Sequence, residues 1–175
     1  MGFECIQVNI SLLASFGRTL AVNASDMKLM IWTEEMSVGV DIIDADHQKL
    51  FMLLNRLGYS IREQSSRPIL GQVLRELSDY TDYHFEREEI LMEVCEYPEI
   101  DRHKRIHRAL RAQVANYLQA FQRDPAAVDI SQFREFLNHW LVEHIMVKDK
   151  EYETWMAGKQ QALKLANARF ERSLQ

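Results

Sequence analysis

Proline and glycine are scarce in this chain, three and six in 175 residues. Neither the turn density of an all-β fold nor a Pro/Gly-rich linker fits that supply. Long uninterrupted helices do. Cysteine is also rare: Cys5 and Cys95 cannot build a disulfide framework, and a reduced, cytoplasmic setting is the expectation. No apolar run approaches the roughly 20 residues that span a bilayer. The segment 10–16 is briefly apolar, and Val22-Asn23-Ala24 imitates a cleavage site. However, Glu4 stands where a signal peptide carries positive charge, and Arg18 interrupts the segment's tail. The net charge of −5, without a basic stripe interleaved with aromatics, argues against nucleic-acid binding.

What is present is apolar periodicity. Residues 1–30 show no clear period and read as a flexible N-terminal arm, and 31–43 read as extended or irregular, broken at Gly39. Asp44 is the expected N-cap of a first helix whose stripe is His47, Leu50, Leu54, Leu57 and Ile61. Ser65-Ser66-Arg67-Pro68 makes a turn. A second stripe follows, through Leu70, Leu74, Leu77, Thr81, His84, Glu88 and Leu91. Tyr97-Pro98 ends that helix, and Glu99 and Asp101 place negative charge at the start of the next. The third stripe is His103, His107, Leu110, Val114, Tyr117 and Phe121. After a turn at Arg123-Asp124-Pro125 and Asp129, the fourth is Ile130, Phe133, Leu137, Trp140 and His144. The fold class that follows is all-α: an up-down-up-down four-helix bundle over 31–152 with a C-terminal helical extension over 153–175, interrupted at Gly158.

Histidines and acids on those stripes carry the functional information. His84 and Glu88 are four apart, as are His103 and His107, a spacing that places both side chains of a pair on one helix face. His47, His84, Glu88, His103, His107 and His144 all ride on apolar stripes. Six polar groups buried together carry a heavy cost unless they share a partner, and a metal cluster is one such partner. Counting along alternating helices at 1.5 Å per residue brings all of them to one end of the bundle. Asp149 completes a set of seven donors, too many for a four-coordinate zinc ion but suited to two six-coordinate metals sharing carboxylates. It stands five residues after His144, about 140° round an ideal helix, so the last turn must loosen or widen. His139 lies outside the pattern. Glu89, one position round from Glu88, reads as solvated, Cys95 as a small apolar filler, and Tyr80, Tyr83 and Tyr117 as packing residues.

These residues resemble the hemerythrin family, specifically its bacterial single-domain members. The likeness covers 32–152 and includes Trp32, Val38-Gly39-Val40, Ile43-Asp44, His47, Asn55, His84-Phe85, Glu88-Glu89, Tyr97-Pro98, His103, His107, Trp140-Leu141, His144-Ile145 and Asp149. The resemblance implies a non-haem centre of two iron ions per chain. His103, His107 and His144 would ligate one iron, and His47 and His84 the other. Glu88 and Asp149 would bridge them together with an oxo or hydroxo group. Phe85, Trp140, Leu141 and Ile145 would line an oxygen pocket. The implied function is reversible dioxygen binding, as carrier, store or sensor, and not catalysis. The alternative is a di-iron oxidase, a peroxidase-like enzyme or a ferroxidase. Such enzymes typically use Glu-x-x-His pairs and four or more carboxylates, and no Glu-x-x-His occurs here. A protein partner, for a sensor, would dock through the terminal extensions.

Overall fold

Helices account for nearly all of the regular structure in the computed structural model, which describes residues 29–175. The arm over 1–28, with Cys5 and the apolar segment 10–16, lies outside the described residues. The helices are α1 (Asp41–Arg62), α2 (Arg67–Val94), α3 (Ile100–Arg123) and α4 (Ile130–Glu143). A π-helical turn, His144–Asp149, leads directly into α5 (Lys150–Met156), and α6 (Gln160–Ser173) follows. Helices α1 to α4 form the up-down-up-down four-helix bundle. The α4 helix runs on through the π turn into α5, and α6 packs on α2.

Local chemistry explains the boundaries. Asp129 caps α4 by accepting from the Gln132 N–H at 3.0 Å. Ser66 precedes α2, whose second residue is Pro68, where the missing N–H costs nothing. Gly158 separates α5 from α6 at φ +76°, a left-handed conformation that glycine adopts without strain. One expectation fails. Asp44 is not the N-cap of α1, because the helix begins at Asp41 after Val40. Asp44 lies within the first turn and turns its carboxylate back to accept from the Val38 N–H at 2.8 Å and the Ser37 hydroxyl at 2.6 Å. It therefore pins the incoming loop instead of capping the helix. That loop is held again further back, where Met30 and the Asn55 amide exchange two hydrogen bonds of 2.8 Å.

Two apolar clusters build the interior. The larger, including Leu50, Leu54, Leu57, Leu77, Phe85, Leu110, Phe133, Leu141 and Ile145, fills the middle of the bundle. The smaller, with Ile43, Leu91, Met92, Cys95, Tyr152, Met156, Leu163 and Ala166, closes one end under α5 and α6. Each full burial of a large aliphatic side chain stabilises by about 1.5–3 kcal/mol. Each bundle helix passes from one cluster to the other, and the crossing point carries the polar residues. On α1, His47 falls between Ile43 and Leu50. On α2, Glu88 falls between Phe85 and Leu91. Past α4, His144 and Asp149 fall between Leu141 and Tyr152. A polar layer thus lies between two dry ones.

Candidate metal centre

All seven donors meet in that layer, and each is almost wholly buried: His47, His84, Glu88, His107 and Asp149 are 0% exposed, and His103 and His144 are 3%. Two groupings emerge. Donor atoms of Glu88, His103, His107 and His144 lie within 4.8 Å of one another, as do those of His47, His84 and Glu88. Glu88 belongs to both. Asp149 also spans them: its Oδ2 is 3.3 Å from His47 Nε2, while its Oδ1 is 3.0 Å from His144 Nε2 and 3.4 Å from His103 Nε2. Glu88 Oε2 lies 3.1 Å from His107 Nε2. Two carboxylates are therefore shared, with three imidazoles on one side and two on the other.

The π turn explains how Asp149 takes part. A wider turn with i→i+5 bonding brings residues five apart toward the same side, which an α-helix does not. His144–Asp149 is that turn, and the widening expected from the five-residue spacing is present.

Electrostatics ties the layer together. Burial pushes the Glu88 carboxyl up, but the close imidazoles of His103, His107 and His84 hold it well below its usual range. Asp149 is likewise held low by His144 and His103, against burial and the repulsion of Glu88. Burial opposes a charge on His103, yet Asp149 and Glu88 lift it to about 10. At His144 burial prevails and the pKa falls despite Asp149.

The layer fits a metal pair. His47 Nε2, His84 Nε2, His103 Nε2, Glu88 Oε2 and both Asp149 oxygens are buried with no hydrogen-bond partner. Each such orphan costs about 1–3 kcal/mol, a large burden for a domain whose whole stability is about 5–15 kcal/mol. Cations at the two groupings would satisfy them all at once.

Several supporting residues were not legible beforehand. Glu89 is not solvated: the Glu89 carboxylate meets His107 Nδ1 at 2.9 Å and accepts from Arg111 at 3.1 Å. Asp46, one residue before His47, is 2% exposed and lies 3.5 Å from His84 Nδ1. Tyr152, fully buried, donates from its hydroxyl to Glu88 Oε1 at 2.5 Å. Only the presence of an acid or phenol near a ligand signalled them, and that signal is weak without knowing the helix rotations. His139, outside the ligand pattern, is exposed.

Next to the layer lies a cavity of about 20 Å³. Its walls stand one helical turn in from the ligand positions: Leu50 from His47, Thr81 from His84, Leu110 from His107, Leu141 from His144. Phe85 and Trp140 also line it, and each stacks on an imidazole, Phe85 on His107 at 3.7 Å and Trp140 on His144 at 4.3 Å between ring centroids. Ile145 is buried in the same apolar cluster but does not line the cavity. The one hydroxyl-bearing wall residue, Thr81, spends its hydroxyl on the Leu77 carbonyl at 2.8 Å.

Comparison with known proteins gives the same picture. The model of the hemerythrin HHE cation binding domain matches residues 38–156. A bacteriohemerythrin of Stenotrophomonas maltophilia is 38% identical over 127 residues, 72% of this chain and 80% of that protein. One from Methylococcus capsulatus is 33% identical over 127 residues, 72% of this chain and 95% of the relative. A wild-type hemerythrin crystal structure superposes with a TM-score of 0.69 at 30% identity, covering 75% of this chain and 100% of that one. No helix among the described residues is long and apolar enough to cross a membrane. With a family model matched over most of its length and relatives above 30% identity, the chain belongs to the hemerythrin family.

Proposed function

We propose that this protein binds dioxygen reversibly at two non-haem irons, as a carrier, store or sensor in the cytoplasm. The observation that carries the proposal is the sharing of Glu88 and Asp149 between a three-histidine and a two-histidine grouping. A cation in the first grouping would be held by His103, His107 and His144 with Glu88 and Asp149, and one in the second by His47 and His84 with the same two carboxylates. With one imidazole fewer, the second grouping would leave room for a small exogenous ligand. Two ferrous ions there would supply the two electrons that dioxygen binding draws, and take them back on release.

The chain's own residues provide the rest. Glu88 and Asp149 would hold the two cations, and Tyr152 fixes the orientation of Glu88 by its hydrogen bond. Glu89 stands behind His107, 2.9 Å from its Nδ1, where such a partner orients an imidazole, and Asp46 lies 3.5 Å from His84 Nδ1. The cavity walls are hydrocarbon and aromatic with no free hydroxyl, which would limit proton donors around a bound gas. Bacteriohemerythrin is the name borne by the relatives, and it agrees with this reading. An oxygen-activating enzyme is disfavoured because five histidines outnumber two bridging carboxylates in the layer.

Metal analysis of the purified protein is expected to find about two irons per chain, the number of shared-carboxylate positions a six-coordinate pair requires. A single zinc per chain would contradict the proposal.

A further inference from the structure

Beyond the layer, a continuous line of charged side chains leads from His84 to the last helix. The Asp46 carboxylate lies 3.5 Å from His84 Nδ1, which leaves Nε2 for the metal layer. On its other side Asp46 accepts from the Tyr80 hydroxyl at 2.7 Å and from Arg87 Nη1 at 2.8 and 3.0 Å. Arg87 is 7% exposed, and its other terminal nitrogen, Nη2, bonds to Glu171 on α6. The guanidinium lies 4.5 Å over the Tyr83 ring, and the Tyr83 hydroxyl donates to the same Glu171 oxygen at 2.8 Å. Phe170 packs against Tyr83 at 5.1 Å between ring centroids, which holds α6 in register. Helix α6 begins at Gln160, past the 38–156 span matched by the family model. An element outside the matched domain is thus linked through Arg87 and Asp46 to a histidine of the layer.

We infer that α6 tunes the metal held by His84, and with it oxygen release, through the chain Glu171–Arg87–Asp46, with Glu171 and Asp46 acting as positioning residues. The inference rests on the function proposed above. Its physics is the division of one buried cation between two anions. Arg87 is shared by Asp46 and Glu171. With Gln at position 171 the guanidinium acts on Asp46 alone, and the negative field that Asp46 exerts on the His84 imidazole, 3.5 Å from its Nδ1, is more fully neutralised. A less polarised imidazole donates less to its metal. The ferrous state is then favoured over the oxidised one, and oxygen leaves faster.

The test uses the full-length protein loaded with ⁵⁷Fe and the variants Glu171→Gln, Glu171→Asp, Asp46→Asn and Glu171→Gln/Asp46→Asn. Mössbauer spectra separate the three-histidine iron from the two-histidine iron, and stopped flow gives the oxygen dissociation rate. Glu171→Gln is expected to move the signal of one iron only and to speed oxygen release about threefold to tenfold, at or below the range for a group directly behind a ligand. Glu171→Asp, which keeps the charge, should stay nearer the parent. The double variant should be no faster than Asp46→Asn alone, as expected of groups in one network. If Glu171→Gln lowers the melting temperature but leaves both iron signals and the rate unmoved, α6 is merely structural and the inference falls. Additive effects in the double variant would also overturn it. A parent protein without two irons would instead sink the proposed function, and this inference with it.

Discussion

Tyr152 donates its hydroxyl proton to Glu88 Oε1 across 2.5 Å, and neither side chain is exposed at all. One carboxylate oxygen is thereby committed to the phenol, while Oε2 faces His103 and His107 at 3.5 and 3.1 Å. Burial, Glu88 and Asp149 together hold the Tyr152 phenol well above its ordinary pKa, so it remains a donor at any physiological pH.

Replacing Tyr152 with Phe removes that donor and no metal ligand. The metal-free protein should lose about 1.5–3 kcal/mol, the range for a hydrogen bond to a charged group, measured by urea unfolding. Iron stoichiometry should be unchanged, with faster loss of iron to a chelator. Full stability and parental release kinetics would show that the contact does not hold Glu88.

Metal loading should expel protons. In the metal-free protein His103 is lifted to about 10 by Asp149 and Glu88 against burial, so it is charged at neutral pH. A cation competes for the same nitrogen, and about one proton or more should leave per chain. Uptake therefore strengthens as pH rises toward 10, and acid drives the metal off. For the metal-free fold the sign is opposite. A folded pKa raised above the ordinary 6.5 gives stability that is complete below 6.5 and lost as pH climbs through about 10. Calorimetric titration in buffers of different ionisation heat counts the protons, and zero release at pH 7 would contradict this.

Gly58 tests the packing far from the metal layer. A Cβ there would sit 2.5 Å from Arg134 Nε and 2.7 Å from its Cζ. Arg134 is 3% exposed and donates from Nε to the Leu54 carbonyl at 3.3 Å, so it has little freedom to move aside. Gly58→Ala should cost about 1–3 kcal/mol. Gly58 is eleven residues, roughly 16 Å, along α1 from His47, so iron content should not change. A neutral substitution in urea unfolding would mean Arg134 yields freely.

The sequence made the bundle and the ligand layer readable for the same reason. His47, His84, Glu88, His103, His107 and His144 share the 3.6-residue period of the apolar stripes, so one pattern reports both packing and chemistry. The five-residue gap to Asp149 even foretold a widened turn. What stayed hidden depends on how neighbouring helices are rotated. Glu89 points off its own helix's stripe, yet α3 brings His107 to meet it. Asp46 is about 100° round from His47, and becomes buried only because Tyr80, His84 and Arg87 of α2 close over it. Asp44 was misplaced because its oxygens serve a loop that folds back, which no helical period encodes.

The most direct test of the central claim is an oxygen titration followed by visible absorbance on the reduced protein, with iron counted on the same sample. Two irons per chain should give a band that rises with oxygen, vanishes when oxygen is withdrawn, and returns over repeated cycles. A band that bleaches irreversibly while a reductant is consumed, or no band from fully loaded protein, would contradict reversible binding.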